Sequence, residues 1–257
     1  MTLDEAQEAV VKRAKGAEKE KYFFGEAVGL MVFRPWYPAI SAAGHANNMQ
    51  TYDFPVRLAF VDDPFDPVGY VESSSENGGW NIKSWITAAR QLEEDGVRAI
   101  VSGCGLAGSI HSKLQASLEI PLYSATLQFV NHFADQIGRD KRVGILTIGE
   151  NFLNARNQAL FAECGVDKNV KIACAGMYNS EYKNDFMKYL METGNVEVAT
   201  SDVVNTVMAM IEKYPDIGGI VVECTDLPPF SQAIREATGL PVFDPVDMVK
   251  QVHNEVK

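Results

Sequence analysis

The sequence predicts an α/β protein of two pseudo-symmetric lobes, each a short, mostly parallel sheet flanked by helices, with the active site in the cleft between them. Three observations carry this prediction. Short β-branched runs alternate with helical patterns along the chain, as in βαβ units. Several strand candidates are unbroken apolar runs, as expected of strands covered on both faces. An octapeptide of the first half, RAIVSGCG (Arg98–Gly105), returns in the second as GGIVVECT (Gly218–Thr225).

Taken in order, strands are expected at Ala27–Phe33, Val56–Val61, Ala99–Ser102, Leu122–Ser124, Val143–Thr147, Val170–Ala175, Gly219–Glu223 and Val242–Phe243. Helices are expected at Asp4–Glu20, Trp80–Glu94, Ser109–Leu118, Thr126–Ile137, Asn151–Glu163, Ser180–Met191, Ser201–Lys213, Ser231–Ala237 and Val246–Val256. The chain divides into an N-terminal helix (1–24), one lobe from 25–128 with 245–257, and a second lobe from 129–244. The first helix is charge-rich and reads as a solvated face available for oligomer contacts. Arg34–Asp53 and Asp62–Gly79 are rich in Pro, Gly, Asn and Ser and read as long loops, which inside compact domains are often functional.

The repeat extends beyond the octapeptide. Ile100 falls on Ile220, Val101 on Val221 and Cys104 on Cys224. Pro121 follows Cys104 by 17 positions, and Pro241 follows Cys224 by 17. The next strands, IPLYS and LPVFD, agree, as do the lobe-opening strands VGLMV (Val28–Val32) and VGILT (Val143–Thr147). Each cysteine therefore follows an apolar strand and precedes a helical segment. In open α/β sheets ligands bind beyond the carboxyl ends of the strands. A two-fold relation between lobes would aim both thiols into one cleft.

Composition bounds the function. With 257 residues, 46% of them hydrophobic, the chain can bury a large core. Its formal net charge of -11 argues against nucleic acid and anionic membranes as partners. No stretch reaches the ~20 apolar residues of a membrane helix. The first residues lack the apolar core of a signal peptide, so a cytoplasmic protein is expected. The four cysteines (Cys104, Cys164, Cys174, Cys224) show no metal-ligand spacing and read as free thiols, with no metal expected.

Two opposed thiols suit proton transfer at a carbon next to a carboxylate. One removes the proton as thiolate; the other returns it as thiol on the opposite face. A thiol titrates near ~8.5, and a helix N-terminus lowers that value. Backbone N–H groups there also bind carboxylates. Gly105 and Thr225, directly after the cysteines, are thus candidates to hold substrate oxygens, Thr225 with a hydroxyl as well. Cys164 and Cys174 read as small buried hydrophobes. His111, His132 and His253 fall on helices and read as surface or packing residues. His45 and Arg34, in or beside the first long loop, are candidates to meet an anionic substrate.

The segments GVRAIVSGCG (Gly96–Gly105), RVGILT (Arg142–Thr147) and VVECTDLPPFSQAIREATGLPVFDPV (Val221–Val246) carry a further signal. The chain resembles the aspartate/glutamate racemase superfamily, which also holds hydantoin racemases, maleate isomerases, arylmalonate decarboxylases and a group of dimethylsulfoniopropionate lyases. The loop NNMQTYDFPV (Asn47–Val56) is similar to one in a single branch. The resemblance runs from about Gly25 to the end. It implies that Cys104 and Cys224 form a general acid/base pair, with Gly105 and Thr225 binding carboxylate. It implies no cofactor, and a homodimer as the common assembly. Two departures concern the substrate. Leu106-Ala107-Gly108 stands where relatives often carry an aromatic residue, and Ile148-Gly149-Glu150-Asn151 lacks the tyrosine some relatives have there.

The expected activity is a cofactor-independent racemase or isomerase of a small carboxylic acid. The alternative is a lyase that begins β-elimination with a cysteine. Two other readings compete. GCGLAG (Gly103–Gly108) fits the dinucleotide pattern G-x-G-x-x-G, but the following strand ends in Tyr123-Ser124-Ala125 with no acidic residue for a ribose. A non-enzymatic two-lobe ligand-binding protein would share the fold but not the paired thiols.

Overall fold

The structure is a computed structural model and describes residues 23–33, 37–63, 79–150 and 157–257. Two four-stranded parallel sheets form its frame. The first contains β1 (Val28–Phe33), β2 (Val56–Val61), β3 (Ala99–Ser102) and β4 (Leu122–Tyr123) in the order β2-β1-β3-β4. The second contains β5 (Arg142–Thr147), β6 (Lys171–Gly176), β7 (Ile217–Val222) and β8 (Val242–Phe243) in the order β6-β5-β7-β8. The helices are α1 (Ile82–Glu94), α2 (His111–Gln115), α3 (Val130–Ile137), α4 (Asn157–Glu163), α5 (Asn184–Lys188), α6 (Val196–Lys213), α7 (Ser231–Thr238) and α8 (Pro245–Val256).

The internal repeat is a repeat of hydrogen-bond register. Gly29 pairs with Ile100 across β1 and β3, and Gly144 pairs with Ile220 across β5 and β7. Ile100 and Val101 face Leu122 and Tyr123; Ile220 and Val221 face Val242 and Phe243. The bonds match too. Ile100 N–H donates to Pro121 O at 3.0 Å and Ile220 N–H to Pro241 O at 2.9 Å. Gly103 N–H donates to Met31 O at 2.7 Å and Glu223 N–H to Leu146 O at 2.8 Å. The two cysteines therefore leave equivalent strands at equivalent points.

Alternation along the strands sorts side chains into three cores. Met31 and Ile100 on one face of the first sheet, with Trp85 and Leu92 of α1, join Ile145 and Val221 of the second sheet in one cluster that crosses between the lobes. Leu30 and Val101, on the opposite face, pack against Val249 and Val252 of α8. Ile220 and Val222 pack with Val203, Val207 and Phe230. Helix α8 thus returns to the first sheet. Pro245 occupies its first turn, and the Asp244 carboxylate accepts from the Val246 and Asp247 N–H groups at 2.8 and 2.9 Å.

Several elements differ from expectation. The residues after Cys104 form a 3-10 segment, Gly105–Ile110, and only then the short α2. Two glycines explain it, since both weaken an α-helix and both are needed for close approach. A Cβ at Gly105 would collide with the Glu223 carboxyl, and one at Gly108 would fall 2.7 Å from Cys164 Sγ. After Cys224, Pro228 and Pro229 likewise give a 3-10 turn, Pro228–Phe230, before α7. α6 begins at Val196, earlier than expected, because the Asn195 side chain caps it by accepting from Glu197 N–H at 3.0 Å. The segment expected as one helix from Ser180 starts at Asn184. There the Asp202 carboxylate accepts from the Asp185 and Phe186 N–H groups, and the chain then widens into a π turn, Tyr189–Thr193. The helix expected at Asp4–Glu20 lies outside the described residues, as do most of the second long loop and the first turns of the helix expected from Asn151.

Candidate active site

The two cysteine turns meet. Thr225 Oγ1 donates to the carbonyl of Gly103 at 3.0 Å, so the residue after one cysteine is bonded to the residue before the other. The Gly103 carbonyl also accepts from Asn47 Nδ2 at 3.0 Å. Thr126 Oγ1, beyond β4, donates to Val222 O at 2.9 Å, a second bond from the first lobe to the end of β7. Cys104 and Cys224 lie near enough that a charge on Cys104 acts on Cys224, and the Tyr37 hydroxyl feels both.

Each thiol sits above the turn that follows it. Backbone N–H groups of Leu106 and Ala107 lie beside the Cys104 sulfur, Ala107 donating to the Cys104 carbonyl at 3.1 Å, and the N–H of Asp226 lies beside the Cys224 sulfur. These N–H groups favour thiolate, as anticipated for a sulfur at the start of a helical segment. Burial is stronger and acts the other way. Desolvation lifts both thiols above their usual value, and carboxylates add to it: Glu223 and, more weakly, Asp226 at Cys104; Asp226 and Glu223 at Cys224. The anticipated depression is therefore overturned. The turns are short 3-10 segments, and the nearest charges are negative.

The thiols are not equivalent. Cys224 is buried and its Sγ lies 3.5 Å from Asp226 Oδ2, to which it donates. Cys104 keeps partial exposure and has two N–H donors. At the positions the repeat equates, Leu106 stands where the second lobe has Asp226, and Gly103 where it has Glu223.

Asp226 organises the second half of the site. Its Oδ1 accepts from His45 Nε2 at 2.8 Å and from the Tyr37 hydroxyl at 3.1 Å. The Asn47 N–H donates to His45 Nδ1 at 3.0 Å, so the ring proton resides on Nε2 and points at Asp226. Tyr189 donates its hydroxyl to the Asp226 carbonyl at 3.1 Å. Asp226 with burial pushes the Tyr37 and Tyr189 hydroxyls well above their ordinary range. Burial, with Cys224 and Asp226, carries Tyr178 to about 12.

Of the residues expected at the site, His45 is fully buried and holds Asp226 with one nitrogen while the other is occupied. It comes from the first long loop, which reaches Asp226 through Tyr37 and His45 and Gly103 through Asn47. Thr225 commits its hydroxyl proton to Gly103, leaving lone pairs. Gly105 is buried against Glu223. Arg34 lies outside the described residues. Cys164 is buried and packed under Gly108, and Cys174 sits in β6; burial raises both, Cys174 to about 12. Sequence reasoning missed Glu223, Asp226, Thr147 and Tyr37. The first two stood inside the motif VVECTD, and their acidity beside a cysteine was the available signal. Among the described residues no group of His, Cys, Asp and Glu could hold a metal, and no helix is long and apolar enough to cross a membrane.

Comparison with known proteins bears on the fold and the family. The dimethylsulfoniopropionate lyase of Durusdinium sp. clade D is 30% identical over 155 residues, 60% of this chain and 51% of that protein. Dimethylsulfoniopropionate lyase 7 of Emiliania huxleyi is 25% identical over 215 residues, 76% of this chain and 62% of that one. The chain thus spans less than two thirds of these relatives. Among solved structures, arylmalonate decarboxylase in a sulfate-associated mutant form superposes with a TM-score of 0.58 at 17% identity, covering 88% of this chain and 91% of that one. An aspartate racemase homologue of Pyrococcus horikoshii gives 0.56 at 17% identity, covering 90% and 99%. A glutamate racemase of Bacillus anthracis gives 0.54 at 12%, covering 92% and 84%. At such identities these three speak for the fold alone. Residues 53–251 match the Asp/Glu/Hydantoin racemase family, and the chain belongs to that family.

Proposed function

We propose that the protein is a lyase: a cysteine thiolate takes the proton next to a carboxylate, and a cationic group leaves from the neighbouring carbon. The substrate class is a small zwitterion, with dimethylsulfoniopropionate as its first member to test. The observation that carries this reading is the inequality of the two thiols. A racemase needs each thiol to serve in turn as base and acid. Here Cys104 has two N–H donors to support negative charge, while Cys224 is held as a thiol against Asp226. Such a pair suits a one-way reaction with a single base.

In this reading Cys104 thiolate forms an S–H bond with the α-proton. The C–H pair becomes the new double bond, the bond from the β-carbon to sulfur breaks, and its pair leaves on dimethyl sulfide. Acrylate remains. The leaving sulfur needs no proton, so Cys224 is not required as an acid. Asp226, with the tyrosines Tyr37 and Tyr178 near it, is the proposed counter-charge and aromatic surface that a sulfonium prefers. N–H groups after the cysteines, and Arg34, are the proposed partners of the carboxylate. The curated relatives named above, both dimethylsulfoniopropionate lyases, support the same choice.

The second reading is a racemase or isomerase. The equivalence of Cys104 and Cys224 in the repeat favours it. One experiment separates the two. The protein is incubated in deuterated water with dimethylsulfoniopropionate, and separately with aspartate and glutamate, and followed by NMR. Acrylate and dimethyl sulfide are expected. Deuterium at Cα with inversion of an amino acid, and no acrylate, would replace the lyase by the racemase.

A further inference from the structure

Glu223 is a buried acid near the thiols that the mechanism above leaves idle. Its side chain is 1% exposed. Oε2 accepts from Thr147 Oγ1 at 2.7 Å; Oε1 is buried without a hydrogen-bond partner. That free oxygen is pressed against the backbone just after Cys104, since any Cβ on Gly105 would collide with it. Glycine at 105 is thus what admits the carboxyl to the Cys104 turn. The groups whose titration is coupled to it are Cys104 from the first lobe, Cys164 just after α4, Cys174 from β6, and Cys224 and Asp226 from its own turn.

A buried carboxylate oxygen with no donor is costly unless it receives a proton. Cys104 directly precedes the glycine that Oε1 touches, and its thiol carries the proton the mechanism must remove. We propose that Glu223 is the proton acceptor that converts Cys104 from thiol to thiolate, the proton passing from Sγ to Oε1. The S–H bond breaks and an O–H bond forms on Oε1; thiol becomes thiolate, carboxylate becomes acid, and the pair keeps one negative charge. The buried site then generates its base without gaining charge. Burial raises this carboxyl to about 7 and the Cys104 thiol further still, so the proton rests on sulfur and moves to Oε1 only as the thiolate is used. Glu223 acts through Cys104 and is a positioning residue. The inference rests on Cys104 being the base.

The test is alkylation of Cys104 by iodoacetamide, which needs no substrate. Trypsin releases Ala99–Lys113, which contains Cys104 as its sole cysteine, so mass spectrometry reads that thiol alone. At about pH 7, Glu223→Gln is expected to slow labelling about tenfold or more, with saturation moved to higher pH. Unchanged or faster labelling would overturn the proposal, faster labelling being what simple relief of charge repulsion produces. Should the Gln variant fail to fold, Glu223→Asp, whose shorter carboxyl withdraws from Gly105, is expected to slow labelling likewise, and undiminished labelling there would overturn it as well. If wild type releases no acrylate yet labelling slows in the variants, the lyase reading alone falls. If acrylate is released and labelling does not slow, this proposal alone falls.

Discussion

Thr225 Oγ1 donates to the Gly103 carbonyl at 3.0 Å, and through that bond the turn of Cys224 is fixed to the turn of Cys104. Two strand ends from separate sheets are held in register by a hydroxyl that also lies next to the chemistry. Thr225→Val keeps the shape and removes the donor. A neutral buried hydrogen bond contributes about 1 kcal/mol, so denaturant unfolding is expected to lose about that much. Turnover is expected to fall more than stability, because the thiols lose their common reference. Equal kcat in the variant would show that the bond is only structural.

Asp226 is the counter-charge for a cationic leaving group in the proposed reaction. Asp226→Asn preserves its size and removes its charge. With dimethylsulfoniopropionate, KM is expected to rise at least about tenfold, the scale of one lost charge-assisted contact. The same variant is expected to make Cys224 label faster with iodoacetamide, since a charge that keeps it protonated is gone. Steady-state kinetics and labelling of Cys224 check the two halves separately.

Glu223 gives a pH signature in stability. Its folded pKa of about 7 lies above its ordinary value of 4.5, so the folded state keeps a proton that the unfolded state has lost. Stability is therefore highest below the ordinary carboxylate range and falls as pH rises toward about 7, then levels off. The loss is on the order of 3 kcal/mol by linkage. Asp247, raised to about 6 chiefly by burial and next by Asp244, contributes in the same direction. The difference between wild type and Glu223→Gln isolates the first group. That difference in unfolding free energy should grow between about pH 4.5 and 7; a difference independent of pH counts against the buried, proton-holding carboxyl.

Gly105→Ala tests the close approach of the two turns. The added methyl meets Glu223 Oε1 and the Glu223 carbonyl, one of them backbone, so the clash cannot be relieved by a rotamer change alone. Overpacking of this kind costs about 1–3 kcal/mol. A lower melting temperature and a large loss of turnover are expected together. By contrast Cys164→Ala, in the cluster under Gly108, is expected to change stability modestly and leave kcat near wild type.

The frame of the fold was legible because it rests on backbone periodicity. Val56–Val61, Ala99–Ser102 and Val242–Phe243 occur as strands with the bounds the sequence suggested, and the alignment of Cys104 with Cys224 reappears as identical register in two sheets. Helix starts were less legible, since they depend on caps. Asn195 is a capping residue type, yet the helix was expected only from Ser201; Asp202, which caps Asp185 from 17 residues away, carries no local signal at all. The site divided in the same way. The cysteines announced themselves by repetition. Asp226 and Glu223 break that repetition, so a search for symmetry passes over them. Their partners Tyr37, His45 and Thr147 are distant in sequence, and only the folded chain brings them together.

The 37–51 loop leaves the first sheet and is moored at two places, at Asp226 by Tyr37 and His45 and at Gly103 by Asn47. One strap is thus buckled to both halves of the molecule. The lobes cannot swing apart without unfastening it, whereas lifting the strap by itself leaves the Thr225 clasp shut.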